Sequence, residues 1–219
     1  MRLISVNVSL AREIVHEGRR IRTGIFKTPV AGRVTVRRLG LEGDQQADLR
    51  VHGGPFMAVY AYDIESYRWW EEQLVDSFPP GHFGENLTVE GMTDDLVHVG
   101  DVFAIGDTVL QVTQPRLPCF KLGARMGDPG FPKRFLAAGR LGFYLRVLHD
   151  GTVGAGDAIV RTELGEGRMT VHRIARLRKK DTHDLEGARQ ALDIESLSPT
   201  WREEFEERLA DAGVSSDAG

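Results

Sequence analysis

The run Leu110-Gln111-Val112-Thr113-Gln114-Pro115-Arg116-Leu117-Pro118-Cys119-Phe120-Lys121-Leu122 holds the chain's only cysteine between two cationic residues. An apolar strand runs into two prolines, which fix the backbone and end sheet pairing. Cys119 is thereby delivered at a strand end, with Arg116 and Lys121 beside it. Positive neighbours favour the thiolate, and a helix starting at Cys119 would add its unpaired N–H groups. A thiolate attacks electrophiles or binds soft metals. The opposing reading is a small buried cysteine, the commoner fate of a lone intracellular thiol. The local chemistry leaves both open.

Two further segments hold groups that suit a pocket. Leu39–Pro55 is a long, polar, glycine-rich stretch between two expected strands, the kind of loop on which binding groups sit. Within it Gly53-Gly54 permits a close approach of backbone N–H groups to an anion, and Arg50 and His52 offer charge and hydrogen bonds. A solvated surface loop fits the same residues. Gly81-His82-Phe83-Gly84-Glu85-Asn86-Leu87 places Glu85 and Asn86 just before an apolar strand, where they serve as pocket groups or as turn residues; the residues alone favour the turn.

Composition narrows the function classes. A net charge of −4 from 28 basic and 32 acidic residues gives no global attraction to nucleic acid or to an anionic membrane. The first residues are too interrupted for a signal peptide, and no apolar stretch approaches the ~20 residues needed to cross a bilayer. One cysteine cannot close an internal disulfide, which fits a reducing, cytoplasmic setting. It also rules out a cysteine-built iron–sulfur cluster or thiolate-rich zinc site within these 219 residues. The histidines show no metal-ligand spacing. Gly151–Gly156 lacks the Lys-Ser/Thr of a phosphate loop, and no Gly-x-Ser-x-Gly elbow occurs.

The elements that must position these groups are mostly short strands, expected at Arg2–Val8, Val30–Arg37, Met57–Tyr62, Leu87–Val89, Asp101–Ile105, Thr108–Thr113, Phe143–Leu148 and Ala158–Thr162. Asp63 can cap a helix over Ile64–Leu74, whose Tyr67 and Trp70 read as core. Short helices are expected after Cys119 and over Pro132–Ala138. Beyond Leu164 the pattern turns helical, at Val171–Lys179, Asp184–Leu192 and Pro199–Leu209. The basic run Arg173–Lys180 carries an apolar stripe and reads as a solvated helix face rather than a docking patch. The fold expected is mainly β (α+β): a strand-rich domain over residues 1–165, a three-helix segment over 166–213 and a frayed end over 214–219.

Taken together, the motifs resemble the MOSC domain family, and most closely its stand-alone bacterial members of the YiiM type. The residues that carry the resemblance are Leu41–Asp48, Val51–Pro55, Phe83–Leu87, Val99-Gly100-Asp101 and Gln114-Pro115-Arg116 with Pro118-Cys119, Lys121 and Leu122. They stand in the family's order within about residues 40–150, and the helical tail resembles the three-helix segment of those proteins. The resemblance implies a barrel-like fold whose pocket receives the molybdenum cofactor (molybdopterin), with Cys119 as ligand to molybdenum or as sulfur carrier. It places the cofactor's anionic part near Arg50, His52, Gly53, Gly54, Asn86, Arg116 and Lys121. The implied activity is reduction of N-hydroxylated compounds of the hydroxylamino-purine type, a detoxifying oxidoreductase role, with His52 or Glu85 supplying protons. Pyridoxal phosphate binding is a further association of the family's fold. With no cluster-forming cysteines, electrons would come from a separate flavoprotein or iron–sulfur partner, for which the basic patch around Arg176–Lys180 or the helical tail is a candidate dock. A homodimer through strand edges or the tail is compatible. The alternatives are a sulfur carrier with a Cys119 persulfide and a non-catalytic anion-binding module.

Overall fold

The structure, a computed structural model, describes residues 1–47 and 53–213. The chain opens with strands β1 (Arg2–Val8), β2 (Arg12–His16), β3 (Arg19–Thr23), β4 (Thr28–Pro29), β5 (Arg33–Arg37), β6 (Gly40–Leu41) and β7 (Val59–Asp63). Helix α1 (Ile64–Leu74) and β8 (Leu87–Glu90) follow, then β9 (Val102–Ile105), β10 (Thr108–Pro115), α2 (Phe120–Met126), α3 (Phe131–Ala138), β11 (Phe143–His149), β12 (Gly151–Gly154) and β13 (Ile159–Glu163). Helices α4 (Val171–Lys179), α5 (Leu185–Leu192) and α6 (Pro199–Asp211) complete the order.

The main sheet runs β13-β9-β10-β11-β7-β8-β1-β4. Its one parallel pair, β7 with β8, is joined through α1, as a parallel pair requires a crossover. Asp63 ends β7 and caps α1, its Oδ1 accepting from the Ser66 N–H at 2.7 Å; such a cap stabilises a helix by about 1 kcal/mol. The sheet curls so that β1 meets the approach to β13. Leu3 N donates to Asp157 O at 2.9 Å and Gly156 N to Leu3 O at 2.8 Å, with a lone bridge between Arg2 and Ala158. These contacts form no continuous ladder, so the sheet is barrel-like without being a closed barrel. A small sheet β12-β5-β6 packs alongside, and β2 and β3 form a separate hairpin.

Two apolar clusters hold the molecule together. The larger fills the space between the sheets and continues without a break into the tail, through Val171, Ile174, Trp201, Phe205 and Leu209. Each large side chain so buried contributes roughly 1.5–3 kcal/mol, which ties the three helices to the strand domain. The second is aromatic and lies under α1, α2 and α3: Tyr62, Tyr67, Trp70, Phe83, Phe131 and Phe135. Trp70 and Phe135 stack within 2° of parallel at 5.7 Å, as expected for core residues.

The basic run on α4 is a set of ties within the tail. Arg173 pairs with Asp181 and Asp184, Arg176 with Asp181, and Arg178 with Glu204 while lying over the Trp201 ring. Its arginines are engaged within the tail, with Arg176, Lys179 and Lys180 exposed. No helix among the described residues is long and apolar enough to cross a membrane. The segment 214–219, expected to fray, lies outside the described residues.

Candidate functional site

A cleft of about 110 Å³ opens between the foot of the β2–β3 hairpin and the segment after β10, room for several water-sized groups. One wall is Arg116, Leu117, Cys119 and Lys121; facing them are Thr23, Gly24, Ile25 and Lys27, with Gln45, Gln46, Ala47, Tyr60, Gly84 and Tyr144 completing the described lining. Three of the residues singled out from the sequence are therefore brought together: Arg116, Cys119 and Lys121. Arg50 and His52 lie outside the described residues.

Local structure explains the wall. β10 runs to Pro115, and Arg116 N still donates to Gly142 O at 3.0 Å. The chain then turns outward through Pro118, and Cys119 adopts an extended backbone (φ −119°, ψ 173°) at the start of α2. Cys119 is partly exposed and sits on the pocket wall, so the reading of an inert core thiol does not apply. Across the pocket, Gly24 packs against Gln45: a Cβ at position 24 would stand 2.2 Å from the Gln45 carbonyl oxygen. Only glycine permits that approach.

Arg116 is the most informative group. Its residue is 5% exposed, and its guanidinium lies 5.2 Å from the Tyr60 ring centroid and 5.0 Å from that of Phe135. Nη1 is buried and has no hydrogen-bond partner among the described residues. An unpaired donor in such a place costs about 1–3 kcal/mol, more when charged, so it marks a position suited to an acceptor that none of the described residues supplies. Burial acts to lower the Arg116 pKa, but the fields of Tyr60, Tyr144 and Cys119 raise it overall. The guanidinium stays charged, within electrostatic reach of the thiol.

Lys27 was not among the residues assigned from the sequence. It is buried, lines the pocket and forms an ion pair with Asp44. Burial lowers its pKa despite the attraction of Asp44. The Lys27 charge is balanced by Asp44 behind it, so Arg116 and Lys121 are the cationic side chains left to a ligand among the described lining residues. A cleft lined by one sign of charge concentrates ions of the other, so the pocket suits an anion although the chain is acidic. Tyr60 and Tyr144, also missed, keep neutral phenols because burial raises both pKa values.

Glu85 and Asn86 are not on the wall. Glu85 is 0% exposed; its Oε1 accepts from the Tyr67 hydroxyl at 2.5 Å, Gly81 N at 2.6 Å and the Thr88 hydroxyl at 2.7 Å. It ties the Gly81–Glu85 turn to α1 and β8, and burial raises its pKa. Asn86 accepts from Tyr60 N at 3.2 Å and donates to Asp44 Oδ2 at 2.9 Å. Asp44 also accepts from Ser9 N at 2.9 Å. Asn86 and Asp44 thus position Tyr60 and Lys27 from behind. Gly53 and Gly54 take positive φ values of 116° and 80° at the entry to a short turn over Pro55–Met57 and do not line the cleft.

Among the described residues, no group of three or more His, Cys, Asp or Glu side chains is arranged to hold a metal ion.

Comparison with known proteins matches the MOSC domain over residues 48–160 and a YiiM-like, three-helix domain over residues 169–212. Protein YflK of Bacillus subtilis is 38% identical over 203 residues, spanning 93% of this chain and 92% of that protein. A protein named reductase from Gibberella moniliformis is 35% identical over 164 residues, 73% of this chain but only 29% of that protein. The crystal structure of YiiM from Geobacillus stearothermophilus superposes with a TM-score of 0.82 at 34% identity, covering 95% of this chain and 98% of that one.

Proposed function

Because the chain belongs to the MOSC domain family and carries the YiiM-like three-helix domain behind it, we propose that it is a cytoplasmic, molybdenum-cofactor-dependent reductase of N-hydroxylated compounds. Cys119 is the protein's ligand to molybdenum in this reading. The observation that carries it is Arg116: a buried guanidinium whose Nη1 has no partner among the described residues, on the same wall as the chain's one thiol.

The residues fit the cofactor. A soft sulfur donor suits molybdenum. Arg116 and Lys121 match an anionic phosphate, with Arg116 offering charge-assisted hydrogen bonds. The bound cofactor supplies two-electron oxygen-removal chemistry. The net reaction takes R–NHOH, two electrons and two protons to R–NH2 and water. Among the described wall residues Lys27 is a proton source better placed than Glu85: it holds a proton on Nζ at the cleft, with its pKa lowered by burial. The two electrons come from a separate flavoprotein or iron–sulfur protein, since one cysteine cannot build a cluster in this sequence. The longer reductase relative, matched over 29% of its length, supports the oxidoreductase class.

The test is metal analysis of protein made in a host that synthesises the cofactor. Stoichiometric molybdenum that is lost in Cys119→Ser, with unchanged folding, is expected. Molybdenum retained in Cys119→Ser would sink the ligand assignment. Protein lacking molybdenum but bearing a cyanolysable sulfur on Cys119 would replace the reductase by a sulfur carrier, and neither signal alongside retained phosphate affinity would leave an anion-binding module.

A further inference from the structure

We infer that the junction between the strand domain and the helical tail holds a binding site, separate from the Cys119 cleft, for a small free α-amino acid. Its carboxylate meets Arg146 and its ammonium group meets Glu163, Glu166 and Glu195. The inference does not rest on the reductase reading.

A cavity of about 100 Å³ lies at this junction, room for several water-sized groups. Both parts of the molecule build it. The cross-strand partners Gln111 of β10 and Arg146 of β11 form its floor. The end of β13 and the loop after it supply Glu163, Leu164 and Glu166, and the turn between α5 and α6 supplies Ile194, Glu195 and Ser196. Backbone contacts fix these walls. Gly165 N donates to the buried Asp101 carboxylate at 2.8 Å, and a Cβ at position 165 would stand 2.3 Å from Val99 O, so the loop lies flat against the segment before β9. Ser198 N donates to Thr113 O of β10 at 3.3 Å, and Arg202 Nη2 to Ile194 O at 2.7 Å, which holds the tail turn in place.

Charge inside the cavity is left unmatched. Arg146 donates from Nε to Gln111 Oε1 at 2.8 Å, and Gln111 donates onward to Gly100 O at 3.0 Å. That chain orients the guanidinium, yet its Nη groups have no hydrogen-bond or ion-pair partner among the described residues. The three glutamates likewise form no ion pair among the described residues, although they share a small cavity with a cation. Ser196 adds an independent sign. It is 4% exposed, and its buried Oγ has no partner among the described residues. That oxygen lies 3.2 Å from where a Cβ on Gly100, itself on the lining, would stand. A buried hydroxyl without a partner is unfavourable, and an ammonium group supplies the missing donor.

The charge pattern selects the ligand. Three carboxylates repel a simple anion, and Arg146 repels a simple cation. A zwitterion satisfies both sides, since a guanidinium takes a carboxylate through two parallel bonds. Among the described residues these glutamates are not arranged to hold a metal ion. Leu164 and Ile194 give the lining an apolar side, which suits a short aliphatic side chain.

The probe is L-valine, titrated calorimetrically into the full-length protein, with isobutylamine and isovalerate as fragments that each keep one of its two charges. Saturable binding that raises Tm is expected, with each fragment weaker by about 10-fold or more because one set of charges stays unmatched. Arg146→Gln, and the pair Glu166→Gln with Glu195→Gln, should each weaken L-valine by about 10-fold or more. Ser196→Ala should weaken it less, and Cys119→Ser should bind it as wild type does. Ligand-free Tm values near that of wild type check that each variant folds. No saturable binding of L-alanine, L-valine or L-leucine at millimolar concentration overturns the inference. Isobutylamine binding as tightly as L-valine, with Arg146→Gln silent, also overturns it and leaves a simple amine site. L-Valine binding lost in Cys119→Ser but kept in Arg146→Gln overturns it by placing the ligand in the other cleft.

Discussion

Replacing Arg116 by Met separates a group prepared for a ligand from one that holds the fold. In the absence of ligand the substitution removes two cation–π contacts, at 5.2 Å to Tyr60 and 5.0 Å to Phe135, worth about 0.5–2 kcal/mol each. It also removes a buried Nη1 with no partner among the described residues, whose burial costs about 1–3 kcal/mol. The backbone bond to Gly142 is untouched, and Met fills much of the volume as a flexible apolar chain. These effects oppose each other, so unfolding free energy should change by no more than ~2 kcal/mol, a shift of a few degrees in Tm for a chain of this size. Ligand binding has no such compensation. Losing charge-assisted hydrogen bonds worth about 1.5–3 kcal/mol lowers affinity roughly 10- to 150-fold. The assays are urea unfolding of ligand-stripped protein and molybdenum content after dialysis of protein from the cofactor-producing host. Arg116→Lys, which keeps the charge but not the planar fork, should fall between wild type and Met. A loss above ~3 kcal/mol in stability with undiminished molybdenum would refute the reasoning and make Arg116 a structural residue.

Asp94 is buried and accepts from Leu141 N at 2.7 Å and Gly142 N at 3.0 Å; burial, ahead of those bonds, raises its pKa from 3.8 to about 7. The folded state then binds a proton that the unfolded state releases between pH 4 and 7, so this group's stabilisation is fully present below about pH 4 and is lost as pH rises through about 7. The span corresponds to something on the order of 4 kcal/mol. Asp94→Asn should flatten that slope in urea unfolding between pH 4.5 and 7.5, and an unchanged slope would count against the assignment. In Gly24→Ala the new Cβ stands 2.2 Å from the Gln45 carbonyl; the backbone must move, and the expected result is lost molybdenum with a stability loss of roughly 1–3 kcal/mol. Retained molybdenum in that variant would show that the close approach of these segments does not shape the pocket.

Much of the scaffold was legible because its signals are local. Strand β1 and helices α1 and α4 have the ends expected from the sequence, with Asp63 capping α1 as expected; the structure adds Thr170, whose Oγ1 accepts from Arg173 N, as the cap of α4. Strand β10 carries on two residues past its expected end, to Pro115, because a proline lacks only the donor and can still pair through its carbonyl at a strand end. The hairpin was overlooked although its turn is marked: Glu17 and Gly18 both take positive φ, at 48° and 74°, as a two-residue hairpin turn requires. Its arginines and glutamates hid the alternation of Ile14 and Ile21, since polar residues dominate a two-stranded arm with little core to face.

The candidate site divides along the same line. Sequence alone determined that Cys119 stands at a strand end between cations, that the chain has a single thiol, and that the ordered motifs belong to one family, because each is a matter of residue type and spacing. Only the tertiary structure decided which charges share a wall. Lys27 and Tyr144 join Cys119 on the cleft wall from segments distant in sequence, while Glu85 and Asn86, close to the pocket's Gly84, turn inward to satisfy buried donors and acceptors. A strand alternates faces at every residue, so adjacency in the chain cannot say which side chain meets the cleft and which serves the core. That Nη1 of Arg116 has no partner among the described residues is likewise invisible in one dimension: a donor is known to lack a partner only once everything packed around it is in place.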